Sequence, residues 1–145
     1  MAILEVIRAA WGWSGLSPTE VVTENDFGNL IVRDDDGRFW RICPEELDCK
    51  VVACDQAQLA RLLGDEEFLQ DWHMREMVHV ATTKFKVLEE GRKFCLKIPG
   101  ALGGEYDESN IGTISLTELV RFSGDLALQL KDLPDGAHVK LNIIG

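Results

Sequence analysis

The sequence predicts an α+β fold, a largely antiparallel sheet packed with helices in a single domain. Three observations carry this. β-prone runs follow one another across short turns, capping boxes open helices at several points, and regular βαβ alternation is absent. The chain has 145 residues, 46% apolar and 28% charged. That length suits one domain and buries roughly two-thirds of the unfolded surface, so no disulfide or metal is needed for stability.

Residues 2–13 carry Ile3, Leu4, Val6, Ile7, Ala10 and Trp11 near helical spacing, which predicts an amphipathic helix. Ser17-Pro-Thr-Glu20 has the form of a second, short helix start, with Ser17 as N-cap and Pro18 in the first turn, ended by Asn25, Asp26 and Gly28. Residues 1–26 are thus expected to form an N-terminal helical segment. Asn29–Arg33 and Arg38–Ile42 are β-prone runs joined by Asp34-Asp-Asp-Gly37, a hairpin turn. A third strand, Cys49–Cys54, follows the Pro44-Glu-Glu turn and completes a meander.

Asp55-Gln-Ala-Gln58 opens a helix to Leu63. Gly64 breaks it, and Asp65 caps a further helix to about Thr83 through Phe68, Leu69, Trp72, Met77 and Val80. Strands are expected at Phe85–Leu88 and Lys93–Ile98 about a Glu89–Arg92 turn, with Pro99–Glu105 as a loop. Ile111–Ser115 reads as a strand and Ser115-Leu-Thr-Glu118 as the start of a helix to about Lys131. A turn at Asp132–Gly136 and a last strand at His138–Ile144 end the pattern.

No catalytic constellation assembles. His73 and His79 are six apart and point different ways on a helix, His138 lies in a terminal strand, and the His-Glu-x-x-His pattern is missing. Gly100-Ala-Leu-Gly-Gly104 lacks the Gly-Lys-Ser/Thr ending of a phosphate loop. Asp34-Asp35-Asp36 lacks the alternation and the distal Glu of a calcium loop. Cys43, Cys49, Cys54 and Cys95 match no zinc spacing and read as reduced, small apolar residues. The expectation is a protein that is not an enzyme and needs no cofactor or metal.

The first twenty residues do not read as a leader, since Glu5 and Arg8 interrupt the apolar run, and no run is long enough to span a membrane. A cytoplasmic protein is expected. Its net charge of −10 repels nucleic acid and anionic membranes, and either attracts basic partners or serves only solubility. Turn chemistry places Asp34, Asp35, Asp36, Glu105, Tyr106, Asp107 and Glu108 at the surface as candidate partner-binding residues. Tyr106, the single tyrosine, reads either as an interface anchor or as a packing residue of a solvated turn. Trp11, Trp40 and Trp72 read as core, with Trp13 between Gly12 and Gly15 set apart from them. The last strand, ending in Leu141–Gly145, offers an edge through which a homodimer can form.

Several pieces taken together resemble the type VI secretion immunity domain that neutralises DNase toxins. They are Phe27-Gly-Asn-Leu, Asp36-Gly-Arg-Phe-Trp-Arg-Ile with Pro44-Glu45, Leu102-Gly-Gly-Glu-Tyr with Asn110, Phe122-Ser-Gly, and Lys131-Asp-Leu-Pro-Asp-Gly136. The resemblance runs from Phe27 to the end, so residues 27–145 are expected to be the family-like region. It implies a cytoplasmic antidote to a cognate nuclease effector encoded beside it. It supplies no catalytic residues and does not say which surface meets the toxin, and the alternative reading is a general protein-binding adaptor domain without a nuclease partner.

Overall fold

The computed structural model describes residues 3–133, which form five α-helices and six strands. The α+β expectation holds: a four-stranded antiparallel sheet of order β1-β2-β3-β4 and a two-stranded β5-β6 ladder pack with the helices.

Helix α1, Ile3–Trp11, buries Val6, Ile7 and Trp11, the stripe its spacing predicts. The expected second helix is instead a strand. Residues Pro18–Glu24 form β1, which pairs with β2, Leu30–Asp34, through Val21↔Val32 and Glu24↔Leu30. Ser17-Pro-Thr-Glu20 has capping form, but the β-branched run Val21-Val22-Thr23 that follows prefers extended backbone. Proline at the first residue of an edge strand costs no ladder bond. The N-terminal segment is therefore half helix, half sheet.

The meander runs on as expected through β3, Phe39–Cys43, and β4, Asp48–Ala53. Its alternation separates two apolar layers. Leu30, Val32, Trp40 and Ile42 meet Val6, Ile7 and Trp11 of α1 on one face. Ile31, Phe39 and Ala53 meet Leu59 and Trp72 on the other. Those two residues come from α2, Gln56–Leu63, and α3, Glu66–His73. Both helices start as read, with the Asp55 carboxylate accepting from Gln58 N and that of Asp65 from Glu67 N and Phe68 N.

The single helix expected from Asp65 to Thr83 is broken at Met74, whose φ is 48°, and resumes as α4, Arg75–Phe85. Two targets explain the break. Phe68 and Trp72 of α3 cover the sheet, whereas Ala81, Met77 and Phe85 of α4 cover Phe94, Leu96 and Ile111. One straight helix cannot face both. Asn25 Nδ2 donates to the Trp72 carbonyl at 2.8 Å and ties off the end of α3.

Phe85–Leu88 is not a strand. Phe85 ends α4 stacked on Phe94, ring centroids 6.2 Å apart, and Lys86 turns the chain at φ 66°. Strand β5, Arg92–Leu96, pairs with β6, Ile111–Ser115, and α5, Leu116–Leu130, begins at the Ser115 cap as read. Trp11, Trp40 and Trp72 are core, and Trp13 is 38% exposed. The last expected strand and the dimer edge it offers lie outside the described residues.

Candidate functional site

The two acidic loops predicted as partner-binding have different characters. In the β2–β3 turn, the Asp34 side chain points inward and is 1% exposed. Its Oδ1 accepts from Asp36 N and Arg38 N at 2.9 and 2.8 Å. Its Oδ2 accepts from Arg38 Nε and the Trp40 indole, both at 2.9 Å. Burial alone raises its pKa, but these donors outweigh it and hold the carboxyl below the ordinary value. Asp34 is therefore not exposed as its turn position suggests, and only Asp35 and Asp36 reach solvent. The three carboxylates come within 4.8 Å of one another, with Asp34 already committed to the turn.

The second loop is built from the glycine-rich stretch. Asn110 holds both sides of it: Nδ2 donates to the carbonyls of Ile98 and Glu105 at 2.9 Å, and Oδ1 accepts from Ile98 N at 2.9 Å. A Cβ on Gly104 would fall 1.8 Å from the Ile98 carbonyl oxygen, so only glycine fits. Asp107 Oδ1 caps the following 3-10 turn through Ser109 N. Lys84 Nζ from α4 holds the Glu108 carbonyl at 2.7 Å. Glu105, Tyr106, Asp107 and Glu108 are all exposed, as read. The Tyr106 hydroxyl donates to Glu46 Oε1. Burial, that bond and the nearby Glu46 and Glu45 charges push the phenol well above its ordinary range.

The structure does not bring the two loops together. β3 leads from the Asp34–Asp36 turn to Glu45 and Glu46, beside which Tyr106 sits. The loops thus lie at opposite ends of a strand roughly 13 Å long.

Beside the Tyr106 end lies a cleft of about 530 Å³ that sequence reasoning missed, lined by β3, β4, α2, α3 and the Tyr106 loop. Its floor is a polar chain. Arg41 NH1 meets Asp71 Oδ2 at 2.6 Å, while Arg41 Nε and NH2 donate to Asn29 Oδ1 at 3.1 and 2.9 Å. Asn29 Nδ2 in turn donates to both Glu45 oxygens, at 2.8 and 2.9 Å. The Cys43 thiol donates to Glu45 Oε2 at 3.2 Å. Asn29 is fully buried and Glu45 nearly so. Burial raises the Glu45 carboxyl despite its donors, and burial next to Glu45 raises the Cys43 thiol. A raised thiol pKa disfavours the nucleophilic thiolate. The arrangement can bind polar or cationic groups, and it does not activate a nucleophile. The available signal was Arg41, a charged residue on a strand whose neighbours Trp40 and Ile42 are core.

No helix among the described residues is long and apolar enough to cross a membrane. The model of a protein family described as T6SS immunity protein Tdi1, C-terminal, matches residues 55–127, half of the chain. The match takes in α2 to α4, the Gly-Gly-Glu-Tyr loop and Phe122-Ser-Gly; the earlier and later pieces of the resemblance fall outside it. No curated protein matches the chain.

Proposed function

The chain belongs to the family of the T6SS immunity protein Tdi1, C-terminal, and from that premise we propose that it binds and neutralises a cognate nuclease effector in the bacterial cytoplasm. On this reading the chain acts by binding the effector rather than by catalysis. Family membership is the observation that carries this reading. The nuclease chemistry of the effector is supported by charge: an enzyme that holds DNA presents a cationic channel, and a chain of net charge −10 approaches it quickly.

The partner-facing groups we assign are Asp35, Asp36, Glu105, Tyr106, Asp107 and Glu108, with Asp34 setting the shape of its turn. Because the loops sit at opposite ends of β3, they engage either a broad partner surface or two separate patches. The test is to express the effector encoded beside this chain, measure its DNA cleavage against increasing amounts of the chain, and repeat with each loop reversed to lysine. Stoichiometric loss of cleavage is expected. Association should slow about tenfold for at least one reversed loop. Cleavage that persists at excess chain rejects the nuclease reading, and reversed loops that associate at the native rate remove both from the contact surface.

A further inference from the structure

We propose that the cleft between β3, β4, α3 and the Tyr106 loop receives a lysine or arginine side chain presented by the effector. This deepens the effector-binding reading and rests on it. The lining holds four carboxylates, Glu45, Glu46, Asp48 and Asp71, against two cations, Arg41 and Lys50. Both cations are already engaged. Arg41 spans Asp71 and Asn29, with its guanidinium 5.2 Å from the ring centroid of Trp72 and 5.8 Å from that of Phe68. Lys50 pairs with Asp48 at 3.0 Å. Among the described residues Glu46, which is exposed, has no ion-pair partner, so the unbalanced charge sits where β3 gives way to the Pro44–Glu46 turn.

The walls suit the rest of such a side chain. Val52, Leu62, Phe68 and Met74 give an apolar flank on which a long aliphatic stem can lie. Tyr106 stands at the rim, and its hydrogen bond fixes Glu46 there. The space, about 530 Å³, holds one basic side chain with its flanking backbone. The Tyr106 hydroxyl holds the exposed Glu46 carboxylate in place, so it meets an incoming cation with little rearrangement. A preorganised acceptor loses less on binding than a mobile one.

The experiment uses the full chain and the effector encoded beside it. Glu46→Lys alters an exposed rim residue and should leave the melting temperature near the native value. It should weaken effector binding at least tenfold, while Asp35→Lys at the far end of β3 should weaken it less. Amide exchange on the native complex should show protection over residues 43–50, and carbodiimide should join Glu46 or Asp48 to an effector lysine when the inserted side chain is lysine. Native affinity for Glu46→Lys, with no protection over residues 43–50, would overturn the cleft assignment and leave the immunity reading standing. An effector that does not bind the native chain overturns both.

Discussion

Asp34 and Glu45 are two carboxyl groups, each almost sealed from water, whose surroundings push their acidities in opposite directions. Asp34 meets four donors that favour its charged form. Its contribution to stability is complete above the ordinary carboxyl value of 3.8 and is lost as pH falls through the lower folded-state value. Glu45 does the reverse. The folded chain binds its proton more tightly than the unfolded chain, so stability falls as pH rises from the ordinary 4.5 through the raised value. Asp34→Asn should therefore cost about 2–4 kcal/mol at neutral pH, since it removes charge-assisted bonds and sets an amide beside buried donors. That deficit should shrink on acidification below the ordinary carboxyl value. Urea titrations across the acid range measure it, and a deficit that stays constant with pH rules out the ionised Asp34 as its source. Glu45→Gln should flatten the decline of stability with rising pH.

At the scale of elements, four capping sequences of similar form had different outcomes. Asp55, Asp65 and Ser115 each cap a helix, whereas Ser17 precedes a strand. A cap removes one orphan donor, worth about 1 kcal/mol, which is less than a β-branched run gains by completing a sheet edge. Packing likewise reverses a local preference at Gly124. Helix propensity alone gives Gly→Ala a gain of about 1 kcal/mol. Here the added Cβ would lie 2.4 Å from the Ala10 carbonyl oxygen, where α5 crosses α1. Gly124→Ala should therefore destabilise the chain by about 1–3 kcal/mol, because neither backbone can give way without disturbing the Val6, Ile7 and Val120 layer. An unchanged or raised melting temperature would show that the helices separate at no cost. This contact also gives a structural reason for the Phe122-Ser-Gly motif, as Asn110 and Gly104 do for Gly-Gly-Glu-Tyr.

The whole molecule presents a field as well as a surface. Its −10 charge acts over about a Debye length, roughly 10 Å at 0.1 M salt. Association with a cationic effector should therefore slow as salt rises, while dissociation, governed by short-range contacts, changes less. Stopped-flow association at increasing sodium chloride measures this. A rate constant indifferent to salt would assign the acidity to solubility alone. The opposed placement of the two acidic loops bears on the same measurement. If both steer, reversing either one alone should reduce the salt dependence only in part.

The α+β class, the β2–β4 meander, α1, the three helix starts and the acidic character follow from the sequence by itself, because each rests on periodicity, turn chemistry or composition within a few residues. The resemblance in the Gly-Gly-Glu-Tyr and Phe122-Ser-Gly pieces was equally legible, and it led to the family. The tertiary structure alone decided that residues 18–24 join the sheet, that the helix breaks at Met74, and that Asp34 turns inward. It also decided that Arg41, Asn29, Glu45 and Asp71 meet beneath one cleft. Those outcomes depend on partners outside the segment itself: β2 for β1, the Arg38 and Trp40 donors beyond the turn for Asp34, two separate apolar surfaces for α3 and α4, and α3 for Arg41. Local chemistry sets what a segment can become, and the burial available from distant segments selects among those states.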